Sequence, residues 1–331
     1  MRDEAETDPR ATDRPAPGPI VVVGEALVDL VIAPDGTVAA ALGGAPFNTA
    51  RTCGRLGVDV SFVGAVSDDR FGSMIRQRLV DDGVRIDGVI DVDRPTTLAA
   101  AELDERGAAS YRFYIEGTSA PAVGRVRPGR VRPGVVFTGG LALVLEPLAD
   151  AVAAMVSALG APALPATEGP GPLVVVDINC RPLVIADRGR YLDRVHEVLT
   201  RTDVVKVSDD DLAYLHPGVE PADAARSLLA RGPSVVLLTA GGHAVTILTA
   251  AAERTVPVVP VEVVDTIGAG DAFIGGFCAW WTGAGLTADD LADVDVLERA
   301  VRAANDVAGM VCTRRGADPP WRQELPDHWS G

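Results

Sequence analysis

The segment Val263-Val-Asp-Thr-Ile-Gly-Ala-Gly-Asp-Ala-Phe-Ile-Gly-Gly-Phe277 joins an apolar extended run to a glycine-rich turn and then to an apolar helix. The backbone N–H groups of Gly268, Ala269 and Gly270 would open that helix without intrahelical acceptors. With the helix dipole they make an anion site suited to a transferring phosphoryl group, and glycine lets the backbone approach it closely. Asp271 stands beside that site, where a carboxylate repels an anion unless it has a task there. As a general base it would take the proton of an attacking hydroxyl. The same position also suits a simple helix N-cap. The turn is not a Walker A loop, since no GK[ST] follows. No GxGxxG follows the first strand either, which argues against dinucleotide binding.

A second cluster lies at Leu42-Gly-Gly-Ala-Pro-Phe-Asn-Thr-Ala-Arg51. The paired glycines Gly43 and Gly44 precede a helix that carries Asn48 in its first turn. Small residues there let a polyol lie against the backbone, and an Asn side chain both donates and accepts. Upstream, Gly24-Glu-Ala-Leu-Val-Asp29 puts a carboxylate, Asp29, five residues past the first strand, able to accept from sugar hydroxyls.

These groups need elements to position them. Ile20–Gly24, Val60–Val66, Val135–Gly139, Leu173–Asp177, Asp203–Val207 and Ser234–Thr239 are short β-branched runs bounded by turn residues, which suits strands covered on both faces. Pro46–Leu56, Phe71–Asp82, Pro147–Leu159, Tyr191–Thr200 and Pro221–Ala230 read as amphipathic helices between them. The alternation predicts an α/β domain with a mostly parallel sheet and helices on both sides. Thr96–Leu103 and Ala109–Ile115, joined by Asp104-Glu-Arg-Gly107, read as a hairpin. With Leu27–Ile32 they would form a small sheet off the main one. Gly160–Pro172 reads as a loop, and residues 1–19, charged and proline-rich, as a disordered tail without a secretory signal.

The chain has 331 residues, a net charge of −16 and a single lysine, Lys206. An acidic surface repels nucleic acid. No apolar run is long enough for a membrane span, so a cytoplasmic protein is expected. Cys53, Cys180, Cys278 and Cys312 form no CxxC pair, and the four histidines have no metal-ligand spacing.

The GGxxxN element and the DTxGAGD element together are the two signatures of the ribokinase-like (PfkB-type) carbohydrate kinases, and the chain resembles that family from about Ile20 to Pro319. Intermediate landmarks are similar as well: Val63–Gly72, Asp177-Ile-Asn-Cys-Arg181, Lys206–Asp211, Leu238–Gly242 and Cys312–Ala317. The resemblance implies a three-layer α/β/α sandwich in residues 20–331, with a small β lid from segments about 27–42 and 90–118. Implied with it are an ATP-dependent transfer to a sugar's primary hydroxyl and Asp271 as the base. Gly268, Ala269 and Gly270 become the anion hole, and Asp29, Gly43, Gly44 and Asn48 the sugar site.

By the same resemblance, Arg181 lies near substrate and phosphate, Thr239 and Gly241 hold ATP, and Asn305 lines the adenine pocket. Lys206 would meet ATP phosphates or, more simply, snorkel to solvent from a strand end. Ser208 and Asp211 occupy the place of an NxxE element linked to magnesium and read SxxD here. Asp265 and the backbone near Ile267 match part of a potassium-type cation site, completed by Arg314–Ala317. Lids in this family often pair across a homodimer. EALVD, GGAPFN and DINCRP are most similar to fructokinase-like members, although the usual Leu-Trp after Arg-Pro is missing. A 2-keto-3-deoxy sugar acid, with Arg112 or Arg181 meeting its carboxylate, and ribose are the rival substrates. A catalytically silent sugar- or nucleotide-binding regulator is the rival of a different class.

Overall fold

A computed structural model describes residues 18–105, 109–126, 132–159, 171–326 and 329. Nearly all of the expected N-terminal tail lies outside these residues. So do residues 160–170 of the Gly160–Pro172 segment and the second half of the Asp104–Gly107 turn.

The strands are β1 (Ile20–Val23), β2 (Leu27–Ile32), β3 (Val38–Gly43), β4 (Val60–Ser67), β5 (Arg85–Val92), β6 (Leu98–Leu103), β7 (Ala109–Tyr114), β8 (Val135–Gly139), β9 (Leu173–Asp177), β10 (Val204–Ser208), β11 (Val235–Thr239), β12 (Ala244–Thr249) and β13 (Glu253–Pro257). The helices are α1 (Ala45–Arg55), α2 (Arg70–Asp81), α3 (Leu148–Leu159), α4 (Arg188–Leu199), α5 (Asp209–Leu215), α6 (Pro221–Leu229), α7 (Ala269–Gly283) and α8 (Val294–Cys312). Nine strands form one sheet in the order β13-β12-β11-β10-β9-β8-β1-β4-β5. From β11 to β5 the pairings are parallel, while β12 and β13 run antiparallel at one edge.

Strand alternation divides the apolar runs between two cores. Ile20 and Val22 pack with side chains of α1, α2, α7 and α8 on one face. Val21 and Val23 pack with α3, α4, α5 and α6 on the other. An IVVV run therefore has no polar position, because neither face meets water. The expected layers are those observed.

A separate four-stranded sheet, β3-β2-β6-β7, stands off the main one. Asp29 pairs with Ala99, and Ala99 with Phe113, so these three share a face with Leu27 and Gly43. That face packs on Ala120, Leu141 and Leu145 and lies over the carboxyl ends of the central strands. Residues 90–92 finish β5 of the main sheet rather than belonging to the lid. The strands β3, β5, β12 and β13 were not read from the sequence. β3 is mostly exposed alanine, and β12 and β13 mix polar residues at both parities, so neither apolar runs nor clean alternation mark them. β5 does alternate, with Arg85, Asp87 and Asp91 at one parity and Ile86, Ile90 and Val92 at the other, interrupted by Gly88 and Val89.

Candidate active site

In an open parallel sheet the ligand crevice forms at the carboxyl ends of the strands, where strand order reverses. Here the reversal falls between β1 and β8. Glu25 follows β1, Asp177 closes β9, Lys206 to Ser208 close β10, and Thr239 closes β11. The lid face carrying Asp29 covers the same end.

Gly268 caps α7 in the left-handed region at φ 77°, and a Cβ there would lie 2.5 Å from the Ala317 Cβ. Only glycine fits, so the turn is dictated by two independent constraints. The Ala269 N–H already donates to the Thr266 carbonyl at 3.2 Å across the turn. Three residues into the helix, Asp271 is 9% exposed. Its Oδ2 accepts from Asn48 Nδ2 at 2.9 Å, and its Oδ1 from Asn179 Nδ2 at 3.5 Å, the outer limit of a hydrogen bond. No side-chain cap bond is made at this helix start, so the N-cap alternative for Asp271 is set aside. Burial raises the Asp271 pKa above the carboxylate range, while the Asn48 bond, Lys206 and Arg181 pull it back.

Asn48 sits in the first turn of α1, and its donation to Asp271 fixes the amide orientation. Its Oδ1 is then buried without any partner among the described residues. Such an atom costs about 1–3 kcal/mol unless a donor arrives. A Cβ on Gly43 would fall 2.0 Å from Asp29 Oδ2 and displace that carboxylate, while Gly44 (φ 108°) is held to glycine by its backbone and by the Glu25 carbonyl, which a Cβ would meet at 2.8 Å. Burial and Asp271 push the Asp29 carboxyl up to about 6, against the pull of Arg181. Arg181 itself is exposed and donates to the Cys180 carbonyl at 2.9 Å.

Lys206 does not snorkel. It is 5% exposed, and its Nζ donates to both oxygens of Asp177 at 3.0 Å. A Cβ on Gly270 would stand 3.2 Å from the same Nζ, so the only lysine lies against the start of α7. Burial pushes Asp177 up to about 6, partly offset by Lys206. Burial lowers the Lys206 pKa, but Asp177 and Asp211 outweigh it and leave it raised.

Other expected site residues are placed differently. Arg112 pairs with Ala100, on the lid face opposite Asp29. Its side chain, 68% exposed, bonds Glu102 at 3.0 Å. Period-two alternation keeps it off the face that carries Asp29. Asp211 is a correction too. With Ser208 it forms a capping box on α5. Its Oδ2 accepts from Ser208 N–H and Oγ, and its Oδ1 from Cys180 N–H at 2.6 Å. Three of about four lone-pair directions are spent, so it does not fit a direct magnesium ligand. Thr239 lies beside Ser208 at the strand ends, donating to the Val207 carbonyl at 3.5 Å, and Gly241 follows in an exposed left-handed turn. Asn305, on α8, donates to the Pro257 carbonyl at 3.4 Å. Asp265 Oδ1 accepts from Ile267 N–H at 3.0 Å and Oδ2 from Gly316 N–H at 2.8 Å. It thereby laces together the two loops expected to share a cation. The Ile267 side chain is 56% exposed, leaving only its backbone for that role.

Three contributors were not singled out in the sequence. Asn179 has φ 40°, rare for a residue other than glycine, and this aims its amide at Asp271. Asp177 anchors Lys206. Glu25, 2% exposed, accepts from the N–H groups of Ala45 (3.2 Å), Leu141 (3.4 Å) and Ala142 (3.0 Å). It ties the start of α1 to the turn after β8. Burial, partly offset by backbone N–H groups, pushes its pKa up to about 8.

The Glu25 shift has a consequence for stability. The folded state holds this proton more tightly than the unfolded chain, so its contribution is fully present below about 4.5 and declines as pH rises to about 8. Glu25→Gln is expected to remove up to about 1.4 kcal/mol per pH unit of that slope. Denaturant midpoints measured from pH 5 to 8 check this, and an unchanged slope would refute it.

Among the described residues no helix is long and apolar enough to cross a membrane. The profile of the pfkB family carbohydrate kinase matches residues 19–123 and 175–324. The chain is 30% identical to a fructokinase of Rhizobium leguminosarum bv. trifolii, over 91% of this chain and 87% of that protein. It is also 30% identical to a fructokinase of Klebsiella pneumoniae, over 93% of this chain and 98% of that protein. Among solved structures, a fructokinase of Xylella fastidiosa with bound ATP aligns with a TM-score of 0.80 at 26% identity, covering 93% of this chain and 94% of that one.

Proposed function

Since the chain belongs to the pfkB family of carbohydrate kinases, and is an ATP-dependent, fructokinase-like phosphotransferase with an alcohol acceptor, we propose that it phosphorylates a primary hydroxyl of fructose. One observation carries the acceptor site: the buried Asp271 carboxylate shares Asn48 with an Oδ1 that lacks a donor. A sugar hydroxyl supplies that donor, and its neighbour is placed against Asp271.

Asp271 takes the proton as the hydroxyl oxygen attacks the γ-phosphorus. The bond from that phosphorus to the β,γ-bridging oxygen breaks and ADP leaves, and the anion hole at the start of α7 meets the charge on the transferring group. Thr239, Gly241 and Asn305 hold the nucleotide. Magnesium would be held by the ATP phosphates and water, where it would neutralise phosphate charge. Among the described residues no group of three or more His, Cys, Asp or Glu gathers to cage it, which fits an ion carried by phosphate and water. Asp265 keeps lone pairs beyond its two accepted bonds and would hold a monovalent cation beside the 314–317 loop.

A neutral sugar is favoured over a sugar acid. With Arg112 on the far face, Arg181 alone would meet a substrate carboxylate, beside Asp29 and Asp271. The lid face away from Asp29 carries Leu30, Ile32, Val38, Leu98 and Tyr114 beside the exposed Arg112–Glu102 pair. Exposed Val38 and Tyr114 on this face support a second copy of the chain covering its apolar part. We place the protein in the cytoplasm, where ATP and free sugars meet.

The test is ADP release from magnesium ATP with potassium present, across fructose, ribose, 2-keto-3-deoxygluconate, inosine and adenosine. Fructose is expected to give the highest kcat/KM. Preference for the sugar acid would overturn the acceptor. On the preferred sugar, Asn48→Ala should raise KM by about tenfold or more, as expected for loss of a buried hydrogen-bond pair.

A further inference from the structure

Asn48 and Arg51 are one turn apart on α1, yet they serve different structures. Asn48 touches Asp271. Arg51 is 5% exposed and turns outward to the last loop of the chain. Its Nε pairs with Asp82 Oδ2 at 2.6 Å, and its Nη1 donates to the Ala317 carbonyl at 2.8 Å. Arg55, one turn on, pairs with the other oxygen of Asp82 at 2.8 Å. It reaches Asp318 Oδ1 at 2.7 Å and the Pro319 carbonyl at 2.5 Å. Asp82, 1% exposed, thus anchors two guanidinium forks that hold consecutive residues of one strap.

The strap lies behind the anion hole. Ala317 is the residue that fills the space a Gly268 side chain would need, and Gly316 N–H is held by Asp265 Oδ2. The turn that presents Gly268 is therefore gripped from both sides, by Asp265 within its own loop and by Ala317 from outside. Of the two arginines, Arg51 alone bonds the residue in contact with Gly268.

Resting on the assignment of Gly268 to Gly270 as the phosphoryl anion hole, we propose that Arg51 is a positioning residue for that hole. Anchored on Asp82, it presses Ala317 against Gly268 and fixes the direction of the N–H groups at the start of α7. Arg55 secures the strap two residues further on and serves stability. Because Arg51 and Asn48 share one rigid helix turn, sugar contact and anion-hole geometry are set by the same element.

Arg51→Lys keeps a cation near Asp82 but loses the fork that reaches both Asp82 and Ala317. Arg55→Lys is its counterpart, matched in burial and anchor. In the full-length protein, Arg51→Lys is expected to lower kcat by about tenfold or more, the scale of a small misplacement at a reacting centre. Sugar KM should change less than twofold. Arg55→Lys should lower Tm as much as Arg51→Lys does while keeping kcat within about threefold. Amide hydrogen exchange of residues 266–271, a readout independent of turnover, should quicken in Arg51→Lys and not in Arg55→Lys. Equal kcat losses in the two variants, or unchanged exchange at 266–271 in Arg51→Lys, would overturn the proposal. A lack of wild-type turnover would fall on the kinase assignment, with the exchange experiment still deciding the role of Arg51.

Discussion

Asp271→Asn is expected to lower kcat by about 10²–10⁴, the usual worth of a positioned general base, with sugar KM within a few-fold of wild type. The amide is isosteric and keeps an oxygen for Asn48, so the pocket's shape survives while its proton acceptor is lost. Stability should not fall. Burial holds the Asp271 pKa above its unfolded value, so at neutral pH the ionised form disfavours folding, and a neutral amide relieves that. The wild-type kcat should also lose activity on the acid side at a pH above the ordinary carboxylate range, a limb the variant lacks. Turnover retained within a few-fold would remove Asp271 from the role of base.

Lys206→Met should cost both activity and stability, for separable reasons. The ammonium lies against the start of α7, where the proposed transfer would accumulate negative charge. Its loss is expected to lower kcat by about 10²–10³, comparable to removing an oxyanion-hole donor. It also strands Asp177, 1% exposed, without its counter-charge. Breaking a buried pair in this way costs about 3–5 kcal/mol. The sign of the pH dependence follows from both partners. Lys206 has a raised pKa, so its contribution is present below its unfolded value and is lost only as pH rises through the folded one. The variant's deficit should shrink toward acid pH, where the stranded Asp177 takes up a proton. Adding Asp177→Asn should restore most of the stability but not kcat. Recovery of kcat in the double variant would assign Lys206 to the fold alone.

Asp271 and Lys206 differ in how far the sequence alone reveals them. Asp271, with its three preceding small residues, can be read from local sequence, because an anion hole at a helix start is built from consecutive backbone N–H groups. Asn48 after paired glycines is similar, and the six central strands stand out because both faces of the sheet are buried. The lysine was visible as the only one in the chain, yet its direction was not. Whether a strand-end lysine reaches solvent or turns inward depends on the neighbouring strand, and Asp177 lies 29 residues earlier.

What the sequence by itself determined was the pattern that adjacent residues enforce: the doubly buried parallel strands, the amphipathic helices between them, the glycine turn and the acid three residues behind its left-handed cap. Tertiary structure alone decided which distant groups meet. It turned Arg112 away from the pocket, because strand parity against β6 sets its face. It engaged Asp211 in a cap, because Cys180 N–H and Ser208 arrive from two sides. It brought Arg51 to Ala317 across 266 residues. The physical reason is the same in each case: backbone geometry propagates over one helical turn or one strand pair, whereas the partner of a buried charge is chosen by the packing of the whole chain.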